Sequence, residues 1–329
     1  MAKIKSMIGC EFSTKEIRAV EVTKNNDAYQ ILAMGYVPLE KGVIEEGFIR
    51  DAERFQSAFS ELMSSGGFNS NNVAIGINNE NVMMRYAAFP KVDRDKLRNM
   101  VLLQAQEFIP IPINEMEVDY VIADETTNED NVAQYNIMLV AARRLMLEGY
   151  INHLSTMRYT VNDIDSSLLA LCREIHGSNS EEKYCLVNFT DDILSFIVIK
   201  GDKILMVRSI TIPDRNRDAI TELFGLNERA EDEENPNERE ELIKNAKNFI
   251  LSETSSTVSY YSMQSQEQIE KIYVISHSEY NDEILKELQE NMPIPVETPQ
   301  MCTHIQSADS EVLNNYASCI GVAISALEG

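Results

Sequence analysis

Twice in this chain three β-type segments follow one another across short polar turns, and each trio is followed by helix and one further strand. The first trio covers 7–12, 17–22 and 29–37, with NND at 25–27 as the clearest turn signal. DAERFQSAFSELMSSGG then sets Ala52, Phe55, Phe59, Leu62 and Met63 on one helical face. Asp51 is placed to cap that helix and Gly66–Gly67 to end it, before the short buried strand VAIGI at 73–77. The second trio is YCLVNFT, ILSFIVIKGD and KILMVRSITI, starting at Tyr184, with Gly201–Asp202 in a tight hairpin turn. A long helix to about Met263, the strand KIYVIS and two more helices follow. A doubled pattern of this kind makes two related α/β lobes.

Between the trios the pattern changes. NVMMRYAAFP reads as a strand closed by Pro90, and DRDKLRNMVLLQAQEF as a helix with Leu97, Met100, Val101 and Phe108 inward. A proline-spaced segment, IPIPINEMEVDYVIAD, is followed by a polar loop, ETTNEDNVAQ, then the strand YNIMLVAA and the amphipathic helix RRLMLEGYINHLSTM. VNDIDSSLLALCREI supplies a strand fragment and a helix. The expected division is a first lobe of 1–79 and 160–182, an inserted α+β subdomain of 80–159, and a second lobe of 183–329. The second lobe carries an acidic segment, 215–262, in which ERAEDEENPNEREE (228–241) reads as an exposed loop running into a helix.

Composition removes several classes of function. The 29 basic and 53 acidic residues give a net charge of −24, which speaks against nucleic acid and against direct docking on anionic lipid. The start, MAKIKSMIGCEF, lacks the apolar core of a signal peptide, and no run approaches a membrane span, so no direct membrane insertion is expected. Five scattered cysteines (Cys10, Cys172, Cys185, Cys302, Cys319) point to a reduced, cytoplasmic setting. His153, His176, His277 and His304 have no partners at zinc spacing, so no metal site is expected. There is no P-loop, no Rossmann glycine fingerprint and no Ser-His-Asp arrangement.

The opening IGCEFSTKEIRAVEV is a strand–turn–strand of the sort that wraps phosphates in actin-type ATPases, and the β-β-β-α-β order is that of their ribonuclease-H-like core. The residues resemble the PilM family of type IV pilus assembly proteins, relatives of FtsA. Gly9 to Glu21 matches the family's first hairpin through Ile17, Arg18, Ala19, Val20 and Glu21. Tyr29, Leu32, Pro38, Leu39, Gly42, Ile44, Gly47, Ile49 and Asp51 match its next stretch. The most telling series is Glu107, Phe108, Ile109, Pro110, Ile111, Pro112, Ile113, Glu115, Asp119 and Tyr120. LVAAR at 139–143, with Asp165, Leu169, Ala170 and Leu171, completes it. The resemblance implies an actin-like two-lobed α/β fold with an inserted α+β subdomain.

The departures fall at the phosphate turns. The family's first Asp-x-Gly is Glu11-Phe12-Ser13 here, its second is Asn188-Phe189-Thr190, and its late Gly-Gly turn is Ser276-His277-Ser278. Each change puts a side chain where backbone and ligand would meet. Asn188 also lacks the charge that would face Mg²⁺. Glu11, Ser13, Thr14, Lys15, Asn188, Thr190, Ser276, His277 and Ser278 are therefore candidates for a degenerate nucleotide site. The plainer reading of Glu11, Thr14 and Lys15 is a polar hairpin tip, of His277 a loop residue, and of Asp191–Asp192 a turn cap. No cofactor is expected, ATP and Mg²⁺ being the candidates if the site is retained, and the chain is read as a pseudo-ATPase.

Two prolines at i and i+2 stiffen the IPIP segment. Phe108, Ile109, Pro110, Ile111, Pro112 and Ile113 then either cover the preceding helix or wall a groove for an extended peptide. The resemblance implies that the peptide is the N-terminal tail of an inner-membrane PilN-like protein, with the pilus motor ATPase and platform protein as further partners. The expected function is a scaffold at the inner face of the membrane. An ATP-binding or ATP-hydrolysing FtsA-like protein is the second reading. A type II secretion component of the GspL type is the third, and the lack of a membrane helix counts against it.

Overall fold

The computed structural model describes residues 4–25, 28–127, 131–175, 182–201, 203–225, 236–300, 305–306 and 314–329. The chain begins with β1 (Ser6–Phe12), β2 (Glu16–Asn25) and β3 (Ala28–Pro38), an antiparallel meander, and a two-strand ribbon of β4 (Ile44–Glu45) and β5 (Phe48–Ile49). Next come α1 (Ala52–Ser65), whose N-cap Asp51 accepts from the Arg54 amide at 3.0 Å, and β6 (Asn72–Ile77). Strand β7 (Val82–Pro90) is followed by α2 (Arg94–Gln104), β8 (Met116–Thr127), β9 (Ala133–Arg143), α3 (Arg144–Thr156), β10 (Thr160–Ser166) and α4 (Ser167–Ile175). The second half holds β11 (Lys183–Phe189), β12 (Ile193–Lys200), β13 (Lys203–Thr211), α5 (Asp214–Glu222) and α6 (Pro236–Ser265). It closes with β14 (Lys271–Ser276), α7 (Asn281–Asn291), β15 (Val296–Glu297), β16 (Ile305–Gln306) and α8 (Ala317–Glu328).

Two mixed sheets result, ordered β10-β6-β1-β2-β3-β16 and β13-β12-β11-β14-β15. The centre of the first, β1, β2 and β6, is buried on both faces and its residues are near-continuously buried, while the outer strand β3 mixes buried and exposed residues. Ile8, Cys10, Ile17 and Ala19 pack towards Phe55, Phe59 and Tyr150, while Met7, Val20 and Val22 pack towards Ile320, Val322 and Ala323 of α8. In the second sheet Cys185, Val187 and Phe189 face Ile220, Phe249 and Ile284. Its other side, Leu186, Ile197 and Ile199, shares a cluster with Leu168, Leu171 and Cys172 of α4, which lies between the lobes. Gly201 sits at φ +57°, the left-handed conformation that a two-residue hairpin turn needs. Its partner Asp202, the Asn26–Asp27 part of the NND turn and 228–235 of the acidic run lie outside the described residues.

The insert is a three-stranded sheet, β7-β9-β8, covered by α2. Phe89, Leu97, Val101, Ile137 and Leu139 form its core. The helix is shorter than the sequence suggests: it tightens into a 3-10 turn at Ala105–Glu107 before the prolines. Much of ETTNEDNVAQ is strand rather than loop, because pairing carries β8 to Thr127 opposite Ala133.

Two segments pack away from the division expected above. Within 80–159, α3 buries Met146, Leu147, Tyr150 and Leu154 in the first-lobe cluster, and the Tyr150 hydroxyl donates to the Gly47 carbonyl at 2.8 Å. Within 183–329, the end of the chain returns to the first lobe. There β16 pairs with β3, and α8 lies under β1, β2 and β6.

Candidate functional site

The β1–β2 and β11–β12 hairpins point their tips into the space between the lobes, and the tips are built alike. At the first, the Ser13 amide donates to the Glu16 carbonyl at 3.0 Å while the Glu16 amide donates to the Ser13 hydroxyl at 3.1 Å. At the second, the Thr190 amide donates to the Ile193 carbonyl at 2.9 Å and the Ile193 amide to the Thr190 hydroxyl at 3.2 Å. In each tip the hydroxyl residue closes the turn on itself. Two amides per tip are thereby engaged within the hairpin.

Glu11, Ser13, Asn188, Thr190 and His277 are brought together around one cleft, with Arg18, Asn78, Ser167 and Ser318. Its cavity volume is about 60 Å³, against roughly 300–1,000 Å³ for ordinary small-molecule sites. Side chains cross it directly. Asn78 Nδ2 donates to Asn188 Oδ1 at 3.1 Å and His277 Nε2 lies 3.7 Å from Glu11 Oε2; Lys15 lies outside the lining, where its Nζ pairs with Glu279 Oε1 at 3.3 Å. The Glu80 amide donates to Asp192 Oδ2 at 3.3 Å. Ser318 also donates to Glu11. Burial pushes the Glu11 carboxyl up, but hydrogen bonding and charge from His277, with help from Ser318, outweigh it and hold the group below the ordinary range.

Ser276 and Ser278 do not line the cleft. Ser278 Oγ donates to the Leu223 carbonyl at 2.7 Å, and its amide donates to Ser276 Oγ at 3.0 Å, so both are spent on the turn. Thr14 belongs to a neighbouring pocket of about 360 Å³, with Glu45, Glu80, Asp191, Asp192 and Arg217. Burial, then the adjacent Asp191 carboxylate, raises Asp192. Asp192 also works in the turn, accepting from the Thr190 hydroxyl at 2.6 Å. Among the described residues no three His, Cys, Asp or Glu side chains gather as a metal-ligand set.

The proline rod divides. Ile109 is buried with Ala105, Met116, Val118 and Ala141 inside the insert, so it covers the preceding helix. Phe108 packs on the α2 core, its ring tilted 52° to that of Phe89 with centroids 5.8 Å apart. Pro110 and Pro112 are exposed, and Ile111 and Ile113 are half-buried at the edge of the same cluster. Sequence reasoning missed Arg18, Asn78 and Ser318. Ser318 arrives only because α8 folds back under β1. Arg18 carried a usable signal as a lone cation in an apolar strand; it lies between the Tyr36 and Tyr316 rings, 5.4 Å from each centroid.

Comparison with known proteins agrees with this architecture. A chain solved in a "PilM-PilN type IV pilus biogenesis complex" superposes with a TM-score of 0.81 at 18% identity, covering 98% of this chain and 99% of that one. The ethanolamine utilization protein EutJ from Carboxydothermus hydrogenoformans superposes at 0.51 with 10% identity, over 99% of this chain and 89% of that one. A Bacteroides thetaiotaomicron protein described as having an actin-like ATPase fold gives 0.49 at 10% identity, over 98% and 95%. The fold is actin-like, two-lobed α/β. The family model for type IV pilus assembly protein PilM matches residues 9–326, and this chain belongs to that family.

Proposed function

We propose that this protein is a scaffold of type IV pilus assembly that works by binding and needs no nucleotide. It captures the N-terminal cytoplasmic tail of a PilN-like inner-membrane protein and links it to the motor ATPase and platform. The observation that carries the nucleotide part is the cleft of about 60 Å³, crossed by Asn78–Asn188 and Glu11–His277, where the family fold would seat ATP. The residues present do not fit a nucleotide, because the hydroxyls of Ser13 and Thr190 engage amides at both hairpin tips. Catalysis is accordingly not part of the proposal.

The partner part rests on family membership and on charge. Tails that flank a membrane helix on the cytoplasmic side are enriched in Lys and Arg, which suits a molecule of net charge −24. Ile111 and Ile113, half-buried beside exposed prolines, are the surface proposed for the tail. The test is binding of a synthetic PilN-like N-terminal peptide to wild type and to Ile111→Asp at equal folded fraction. A carboxylate forced into an apolar contact costs about 2 kcal/mol, so affinity should fall more than tenfold. Unchanged affinity in a folded variant would move the tail elsewhere.

A further inference from the structure

The insert and the second lobe approach each other along two strand edges. Among the described residues β7 pairs only with β9 and β13 only with β12, so each presents one edge with no strand partner there. At one end the insert and the second lobe are fastened, by the Tyr86 hydroxyl of β7 donating to the Ile204 carbonyl of β13 and by Lys203 Nζ of β13 to Asp124 Oδ1 of β8 at 2.9 Å. Beyond that they diverge into a groove of about 850 Å³. Its walls are Met84 and Arg85 on β7 and Leu205 to Arg208 on β13, and Tyr260, half exposed, closes it from α6.

The charge in this groove is opposite to that of the molecule. Its two charged side chains are Arg85 and Arg208, in a chain with 53 acidic residues and 29 basic ones. Arg208 is neutralised by Glu253 at 3.0 Å. Arg85 is exposed, forms no ion pair among the described residues, and donates only to the neighbouring Met84 carbonyl at 2.9 Å. An open strand edge, apolar walls and one cation without a carboxylate define an occupant.

We propose that this groove binds an extended segment of a partner protein, which adds as a strand to the β13 edge and presents an acidic side chain to Arg85 between apolar neighbours. Main-chain bonds to β13 supply affinity and the Arg85 contact selects the sequence. This goes beyond the capture of a PilN-like tail. That tail is expected to be basic, and Ile111 does not line this groove.

The probe is a fluorescein-labelled pool of decapeptides alternating Val and Thr with one central Glu, compared with a Lys pool and with a Glu pool N-methylated at alternate amides. Fluorescence anisotropy should give saturable binding of the Glu pool, at least tenfold weaker binding of the other two, and a reversed preference in Arg85→Glu. Hydrogen exchange should show protection at 84–86 and 204–208. Absent binding of the Glu pool, equal binding of all three, or protection elsewhere would overturn the proposal. Should Arg85→Glu lose stability, the three pools on wild-type protein decide alone. Failure here leaves the PilN-like tail reading intact, because that reading is tested with a basic peptide and Ile111→Asp.

Discussion

The cleft between the hairpin tips and the groove between β7 and β13 are both boundaries between lobes, with cavity volumes of about 60 and 850 Å³. The difference lies in what meets across each boundary. In the cleft, short polar side chains at the tips and ends of strands reach one another, so contact fills the space. In the groove, β7 and β13 each present an edge that pairs with no strand among the described residues, and side-chain contacts fasten one end. The fold thus fixes where boundaries fall, while the residues that meet there decide how much space each boundary keeps.

The contact between β1 and α8 offers the largest effect. A Cβ on Gly9 would lie 1.9 Å from the Cys319 carbonyl oxygen of α8. Backbone cannot yield as a side chain does, so Gly9→Ala should lose about 3 kcal/mol or more in denaturant unfolding. A wild-type midpoint would mean that α8 does not press on β1.

Next is Glu174, buried between α4 and α8 near Gly321, with its Oε2 unpaired among the described residues. Burial, tempered by Arg173, raises its carboxyl to about 7. The folded value lies above the ordinary one, so the folded state binds the proton more tightly. Stability from this group is complete below about pH 4.5 and is lost as the pH rises through 7. Glu174→Gln should therefore gain about 2 kcal/mol over wild type at pH 8 and nothing at pH 4. A gain independent of pH would contradict the assignment.

Two smaller effects compare the boundaries directly. His277→Ala removes the partner of Glu11, a carboxyl held below its ordinary range. Its cost, about 1 kcal/mol near pH 6, should fade as the pH drops through the folded pKa of Glu11 and the carboxylate is lost. A cost that persisted at pH 2 would point to packing instead. Tyr86→Phe removes the fastening to the Ile204 carbonyl. Its cost should be up to about 1 kcal/mol, with faster hydrogen exchange confined to β7 and β13. Faster exchange at the hairpin tips would show that the two boundaries are coupled.

Much of this architecture was legible in the sequence, because apolar alternation and caps are local. The two strand trios, the Asp51 cap and the helix face of Phe55 and Phe59 can all be read from spacing. The return of α8 could not, since a helix buried from Ala317 to Ile324 is apolar all round and its pattern names no partner sheet. The same holds for α3, whose apolar face fits the insert or the first lobe equally well until Tyr150 reaches Gly47. The polar end of β8 has the composition of a loop, because it is strand only through pairing with β9. The candidate residues of the cleft stand out in the sequence as turns that lack glycine. That Ser13 and Thr190 would perform the same turn-closing task depends on hydroxyl geometry that no spacing reveals.

The proposal that side chains fill the cleft and leave no room for a nucleotide is tested most directly by nucleotide binding. Thermal unfolding should be followed with and without 5 mM ATP–Mg²⁺, alongside calorimetric titration. A ligand bound only by the folded state at a hundredfold excess over its Kd stabilises by about 2.7 kcal/mol. The expected result is an unchanged melting temperature and no heat of binding; a rise of several degrees with saturable heat would contradict it.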